Sequence, residues 1–426
     1  MVKVDEFIDL IGPDAEMLGP VRDGGLIVTG TEPACYGPMI TPEIESGHTI
    51  SRPVAVAGAE VGDGVALKIK EIKITSRAAA SGTETPREGS FVGDPFVAKK
   101  CPGCGKVNPH TVVKGIGKDA IHCLDCDTPV SAFEVTNGFT MIFDDDHTVG
   151  LTVPGKLAEE IARNAEAYSG APAGATCHSV LVFALADMPA GIVTRVRPMI
   201  GNFGTLPAVT MPSSHNAGDF GVFLIGAPHK HAISERDLLK RTDAHMDIDS
   251  VRQGAIVIAP VKVEGAGIVV GDVHAMQGDG EIAGHTTDVS AEVTVEVEVV
   301  KGLANDGPII LPLLEDLPPL ARFFSTAELE RARSLGRSNG FEIQAEVAPI
   351  QVVGSGANLN EATMNGLERL AAIVQMDIEE VKNRVTITGG IEIGRLPGIV
   401  HISMLTPMSR LEEIGIAHLA RNQYGL

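Results

Sequence analysis

Apolar and polar residues alternate with a period of two over long parts of this chain. In "EVTVEVEVVKG" (292–302), Val293, Val295, Val297 and Val299 alternate with Thr and Glu, the pattern of a strand with one buried face. "RPVAVAGAEVGDGVALKIKEIKI" (52–74) predicts two strands joined by a Gly-Asp-Gly turn. Its second half opposes Ala66, Lys68 and Lys70 to Leu67, Ile69 and Ile72 only approximately. Residues 178–300 read mostly as strands and Gly/Pro turns, with a helix over "AISERDLLKR" (232–241). Over 153–170 the period lengthens: Leu157, Ile161 and Ala165 share a helical face, and Gly170 supplies a stop. Beyond the Pro-rich stretch 306–324, Ser325 and Glu328 make a capping-box pattern for a helix that Gly336 closes. A longer helix over 359–375 aligns Leu367, Leu370, Ala371 and Val374. Asp377 and Glu380 then cap a short helix, followed by a strand over 384–390. The expectation is a mainly β body of sandwich or barrel units with a C-terminal α+β portion.

A length of 426 residues exceeds one ordinary domain. The expected divisions are a β domain over 1–95, an inserted unit over 96–135, a central β domain over 136–305 and an α+β domain over 306–426. With 44% hydrophobic and 21% charged residues, the chain can bury a sizeable core. A formal charge of -21 repels phosphate backbones, so nucleic acid is not an expected partner. No run approaches the roughly eighteen apolar residues of a membrane span, and the opening "MVKVDEFIDLIGPDAEM" lacks the pattern of a signal peptide. Six cysteines are too few for a disulfide framework, which points to the cytoplasm. Edge strands point to a homo-oligomer, a dimer or larger.

Four of those cysteines are spaced for metal. Cys101-x2-Cys104 and Cys123-x2-Cys126 stand eighteen residues apart, each pair on a tight turn, with Gly103 and Gly105 freeing the backbone. Four thiolates predict a closed, structural zinc ribbon. His110 and His122 are surplus to it and read as surface residues.

The densest polar run is "GDVHAMQGDGEIAGH" (271–285), which holds Asp272, His274, Gln277, Asp279, Glu281 and His285 among four glycines. Asp272 and His274 point to one face of an extended segment, and Asp279 and Glu281 repeat the spacing. A carboxylate and an imidazole converging in this way suit a divalent metal, and a further carboxylate can take a proton from water. The competing reading is a polar hairpin with a Gly-Asp turn.

"GDVHAMQGDGE" resembles the signature of the acetamidase/formamidase family. "AHMDIDSVRQGAIVIAPVKVEGAGIVV", "GHTISRPVAVAGAEVGDGVALKI", "RPMIGNFGTLPA" and, more loosely, "VTITGGIEIGRLPGIVHISMLTP" are similar to further segments of that family. The resemblance spans nearly the whole chain except the cysteine unit. It implies a β-rich fold and metal-dependent hydrolysis of a short aliphatic amide to a carboxylate and ammonia. It also implies that Asp247 and His274 are metal ligands, with Asp272 and His245 as further candidates, the metal being a second zinc. Glu281 becomes the general base, Gln277 orients the amide, Asp279 holds the loop, and His48 matches a family histidine. Where the family has Gly-Gly-Asn this chain has Asp243-Ala244-His245, and Arg197 stands where a histidine is usual. Arg197 is therefore a candidate for binding a substrate carboxylate, with a surface strand position as the alternative. These departures point to an amide larger than acetamide. Two other readings stay open: a non-enzymatic zinc-ribbon scaffold, and metal-dependent cleavage of another C–N or C–C bond.

The remaining candidates read as structural. His229 and His231 precede a helix, and Ser213, Ser214 and His215 lack a nucleophile elbow. Cys177 and His178 are adjacent and so point apart on a strand. "PVAVAGAEVGD" (53–63) and "PVKVEGAGIVVGD" (260–272) share an outline that fits either an internal duplication or recurrence of alternating Val with Gly turns.

Overall fold

A computed structural model describes residues 1–33, 46, 48–86, 91–94, 97–130, 133–173, 175, 179–183, 185–217, 232–284 and 286–426. Cys35, Cys177, His178, His229, His231 and His285 lie outside them. Among the described residues the largest sheet has nine strands. Their order is Val2–Val4, Leu26–Thr31, Ala291–Val300, Gly64–Ile74, Ile256–Pro260, Ile309–Leu311, Val347–Ser355, Ile399–Pro407 and Gly389–Arg395. Every neighbouring pair is antiparallel except the first. The fold is thus mainly β, and the C-terminal α+β portion continues the same sheet.

The approximate alternation at 64–74 has a physical cause. Thr294 pairs with Glu71 and Val295 with Ile69, so Lys70 is an extra, bulged residue. The bulge shifts the phase, and Leu67 and Ile69 before it bury on the same core as Ile72 and Ile74 after it. Val54–Val56, expected beside this strand, joins another sheet instead. That sheet runs Met199–Thr205, Ile268–His274, Val54–Val56, Leu18–Val21. The two sheets share one core, in which Leu67, Val257 and Val295 meet Phe203, Val270 and Val54. The other face of the large sheet is covered by the C-terminal helices. Leu367, Leu370 and Val374 of Leu359–Val374 bury there with Ile350, Val352 and Ile402.

Two boundaries differ from expectation. Arg384–Thr388 continues the helix Ile378–Thr388 instead of starting a strand. Val381 and Val385, four apart, bury in one core, and that helical spacing outweighs the β propensity of the run. The capping box at Ser325 and Glu328 forms, but the helix passes through Gly336 to Ser338. "AISERDLLKR" yields only a 3-10 turn, Glu235–Lys240, with no buried residue to extend it.

A third sheet, Val193–Arg195, Val149–Thr152, Phe133–Phe143, Ala78–Pro86, carries the helix Gly155–Arg163 and the cysteine unit. Its own core joins Ala78, Ile161, Phe183 and Leu185 to Cys101 and Cys123. Because Leu67 is fully buried between the two main sheets, Leu67→Ala is expected to cost about 2–5 kcal/mol in urea denaturation. Lys70→Ala, at the half-exposed bulge, should stay within about 0.5 kcal/mol of the parent.

Candidate metal centre and cleft

The strand Ile268–His274 ends with Asp272 and His274 on one face, as their spacing predicts. Beside it, Met199–Thr205 holds the segment 242–250 through an Asn202–His245 bridge and through Met246 and Asp247 amides donating to Gly201 O. This brings Asp247 and His245 against Asp272. His245 Nε2 lies 3.0 Å from Asp272 Oδ2 and 3.2 Å from Asp247 Oδ2. His274 Nε2 lies 2.9 Å from Asp272 Oδ1. His48 closes the other side, its Nε2 3.4 Å from His245 Nε2 and 3.9 Å from Asp272 Oδ2. Two donor sets result, His48–His245–Asp272 and Asp247–Asp272–His274, all buried, with ligand atoms of each within 4.8 Å of one another. Every ligand candidate expected from the resemblance is present, and His48 joins them.

The chemistry of these donors fits a divalent cation. Both carboxylate oxygens of Asp247 are buried without a well-directed hydrogen bond, and Oδ2 has only the ion-pair contacts of His245 and Arg395. Both second nitrogens that could set a tautomer are engaged. His245 Nδ1 donates to Ser214 O at 2.6 Å, and His274 Nδ1 donates to Gln277 Oε1 at 2.8 Å. Each leaves Nε2 facing the carboxylates, as second-shell partners of metal-bound histidines do. A Cβ at Gly201 would collide with carboxylate oxygens of both Asp247 and Asp272, so only glycine admits this approach. Asp247, Asp272 and Glu281 have φ of 50°, 56° and 41°, a left-handed backbone that costs non-glycine residues about 1–3 kcal/mol each.

The electrostatics are those of an acidic cage short of positive charge. Burial works against the ionised form of every member. Even so, the Asp247 and Asp272 carboxylates hold the proton on His245 up to about pH 10. His274 is likewise raised, mainly by Asp272. Asp272 is held well below the ordinary carboxylate range by His274 and His48. Burial pushes His48 down to about 3. Glu281 goes the other way: burial and the neighbouring Asp247 charge raise it well above an ordinary glutamate.

Two charged members had no sequence signal. Arg395 Nε lies 2.9 Å from Asp247 Oδ2, and Asp288 Oδ1 lies 3.2 Å from His274 Nε2. Arg395 comes from the end of a remote hairpin that also pins the acidic loop: Gly280 N donates to Ile393 O and Leu396 N to Gly280 O, both at 3.0 Å.

Three of the expected site residues have contacts of their own. Gln277 accepts from His274 through its oxygen and donates through its amide nitrogen to Asp247 O, 2.5 Å, and Gly394 O, 3.1 Å, which ties it to the cage. Asp279 is exposed on the acidic loop. Arg197 is bound to Asp249 at 2.8 Å and to Asp316, so no substrate carboxylate is needed to neutralise it.

A cavity of about 390 Å³ is lined by Gln277 and Glu281 together with Phe139, Met188 and Ile282. A larger cavity, about 960 Å³, lies between Val113, Arg163 and Pro172 and touches none of these residues.

The four cysteines converge as their spacing predicts. Cys101 Sγ lies 3.6 Å from Cys126 Sγ, and Cys104 Sγ lies 3.9 Å from Cys123 Sγ. A tetrahedron with metal–sulfur bonds of roughly 2.3 Å has edges of about 3.8 Å, so one ion fits. The two turns are built alike. Gly105 N donates to Cys101 O and Asp127 N to Cys123 O, with both donors at positive φ, and Gly103 packs against Thr128.

The profile of the Acetamidase/Formamidase family matches residues 34–242 and 230–410. This chain therefore belongs to the acetamidase/formamidase family. Among solved structures it is similar to a recombinant predicted acetamidase/formamidase of the thermophile Thermoanaerobacter tengcongensis, with TM-score 0.55, 17% identity and 97% of each chain covered. It is also similar to an acetamidase of Bacillus halodurans, with TM-score 0.52, 16% identity and 97% and 99% covered. A third similar structure is an acetamidase of Yersinia enterocolitica, with TM-score 0.52, 15% identity and 94% and 88% covered. Among curated proteins no sequence matches this chain.

The departure at Asp243 has a structural use. Asp243 is fully buried and bonded to Arg241 Nε at 2.7 Å and Arg369 Nη1 at 2.6 Å, tying the site segment to the C-terminal helix. Burial would raise its carboxyl, but the two guanidiniums outweigh that and hold it below the ordinary value. Asp243→Ala is therefore expected to cost about 3–5 kcal/mol near neutral pH, since it strands buried guanidiniums. Because the folded carboxyl titrates below the unfolded one, this stabilisation is complete above about pH 4 and fades as pH falls further. Thermal melts of parent and variant should converge in acid.

Proposed function

We propose that this chain hydrolyses a small linear amide to a carboxylate and ammonia with the help of a divalent metal. The observation that carries the reading is the pair of buried donor sets sharing Asp272, with Gln277, which bonds His274, and Glu281 both lining a cavity, in a member of this family. His48, His245, Asp247, Asp272 and His274 would hold the metal, zinc in this reading. When bound, such an ion polarises the amide carbonyl and makes water a better nucleophile near neutral pH.

The rest falls to the chain's own groups. Glu281, buried and raised in pKa, is suited to take a proton from the attacking water and deliver it to the departing nitrogen. The amide then leaves as ammonia and the acyl part as carboxylate, with one water consumed. Gln277 and Ser214 keep His274 and His245 in the ligating tautomer. Arg395 keeps Asp247 ionised and in place.

The same reading assigns zinc to the four cysteines, where a full thiolate shell leaves no position for substrate and makes the site structural. Described thiols free of disulfides support a cytoplasmic setting. No described helix is long and apolar enough to cross a membrane. Exposed Leu335 on the helix Thr326–Ser338, with exposed Phe324 and Phe341 on either side of it in the chain, supports a homo-oligomer.

Ammonia release from purified protein is the test. Glu281→Gln should lower kcat by about 10²–10⁴-fold with metal content intact. Gly201→Ala, which adds one methyl between two carboxylates, should cost about 100-fold with far-UV circular dichroism unchanged. Stripping metal with a chelator should abolish turnover, and a divalent ion should restore it. Full activity in protein shown by elemental analysis to be metal-free would overturn the reading.

A further inference from the structure

We infer that the sheet carrying the cysteine unit forms one wall of the cleft and selects neutral, apolar acyl groups longer than acetyl. The inference rests on the hydrolase reading above and adds the substrate class. Phe139 lies on the strand Phe133–Phe143, and Met188 lies on the strap that follows the 3-10 turn Val180–Phe183. Both line the cavity together with the acidic loop, which contributes Ile282 and Ala283.

The wall is preformed. Asp187 N and Met188 N donate to Gly138 O at 2.8 and 3.1 Å, and Asp187 Oδ2 accepts from Gly138 N at 3.1 Å. A Cβ at Gly138 would strike Leu185, so strap and strand are in close contact. Leu185 belongs to the small core that also contains Cys101 and Cys123. The cysteine unit and the cleft wall therefore stand on one packed foundation.

Size and charge set the preference. Acetamide has four heavy atoms, and at roughly 30 Å³ for each water-sized atom it needs about 120 Å³. The cavity is about 390 Å³, which leaves most of it for more acyl chain. The added space borders Phe139, Met188 and Ile282, and Ile282 is 82% exposed with nothing covering it. Among the described lining residues there is no Lys or Arg, while Asp279 and Glu281 are acidic. An acyl chain ending in a carboxylate is thus disfavoured, which reverses the expectation attached to Arg197.

The test compares acetamide, butyramide, hexanamide and adipamic acid on the full-length, metal-loaded protein. Burial of each methylene predicts a rise of about fourfold in kcat/KM along the neutral series, with adipamic acid at least about tenfold below hexanamide. Phe139→Ala and Met188→Ala should each lower the hexanamide-to-acetamide ratio about tenfold. Ala283→Phe, at an exposed position where folding is not at stake, should lower the same ratio by filling the space. Turnover with a ratio near one, or a ratio that none of the three variants changes, overturns the wall and leaves the hydrolase reading standing. If no amide turns over, calorimetric binding of hexanamide and acetamide decides. Tighter hexanamide binding that Phe139→Ala weakens upholds the wall without the reaction, and equal or undetectable binding overturns it.

Discussion

Keeping Asp247, Asp272, Asp288 and Glu281 together and out of water is the constraint that shapes this protein. Each buried charge carries a desolvation penalty of several kcal/mol, and like charges so close add to it. The surroundings answer in kind. Arg395 stands against Asp247, the carboxylates raise the pKa of His245 and His274, and the donor geometry suits a cation. The left-handed backbone at three of the carboxylate residues adds strain that only a rigid frame sustains.

That frame is the packing of two sheets on one core. The strands Met199–Thr205 and Ile268–His274 are buried along their whole length, so the carboxylates they present or hold have little freedom to separate. The C-terminal part completes the cage. The end of its Gly389–Arg395 strand supplies Arg395 and clamps the acidic loop, and Asp243 bonds the site segment to Arg369. Gly394 packs against Met246 O and Ile248, which interlocks the two regions where the ligand candidates lie. The α+β portion is therefore part of the site and not an appendage.

The cysteine unit plays a different part. Its sulfurs lie far along the chain from the cage, and its link to the chemistry is mechanical, through a shared core and the strand bearing Phe139. Metal on the four sulfurs would suit such work, since it would stiffen a small unit whose own apolar core is limited.

Much of this was legible in the residue order. Period-two alternation marked Ala291–Val300, the helical stripe marked Leu359–Val374, and the capping box marked Thr326–Ser338, because these signals act between near neighbours. The convergence of the cysteine pairs was legible for the same reason, as was that of Asp272 and His274 two apart on a strand. Other features depend on contacts that no spacing encodes. The bulge at Lys70, the helical fate of Arg384–Thr388, Arg395 and Asp288 beside the cage, and Gln277 turned toward His274 all follow from what packs against them. Local hydrogen bonding and side-chain periodicity lie within reach of sequence, whereas the partners of a buried charge are chosen by elements distant in the chain. Only their meeting in the folded core decided which carboxylates ionise, which imidazoles keep their protons, and which side chains face the cleft.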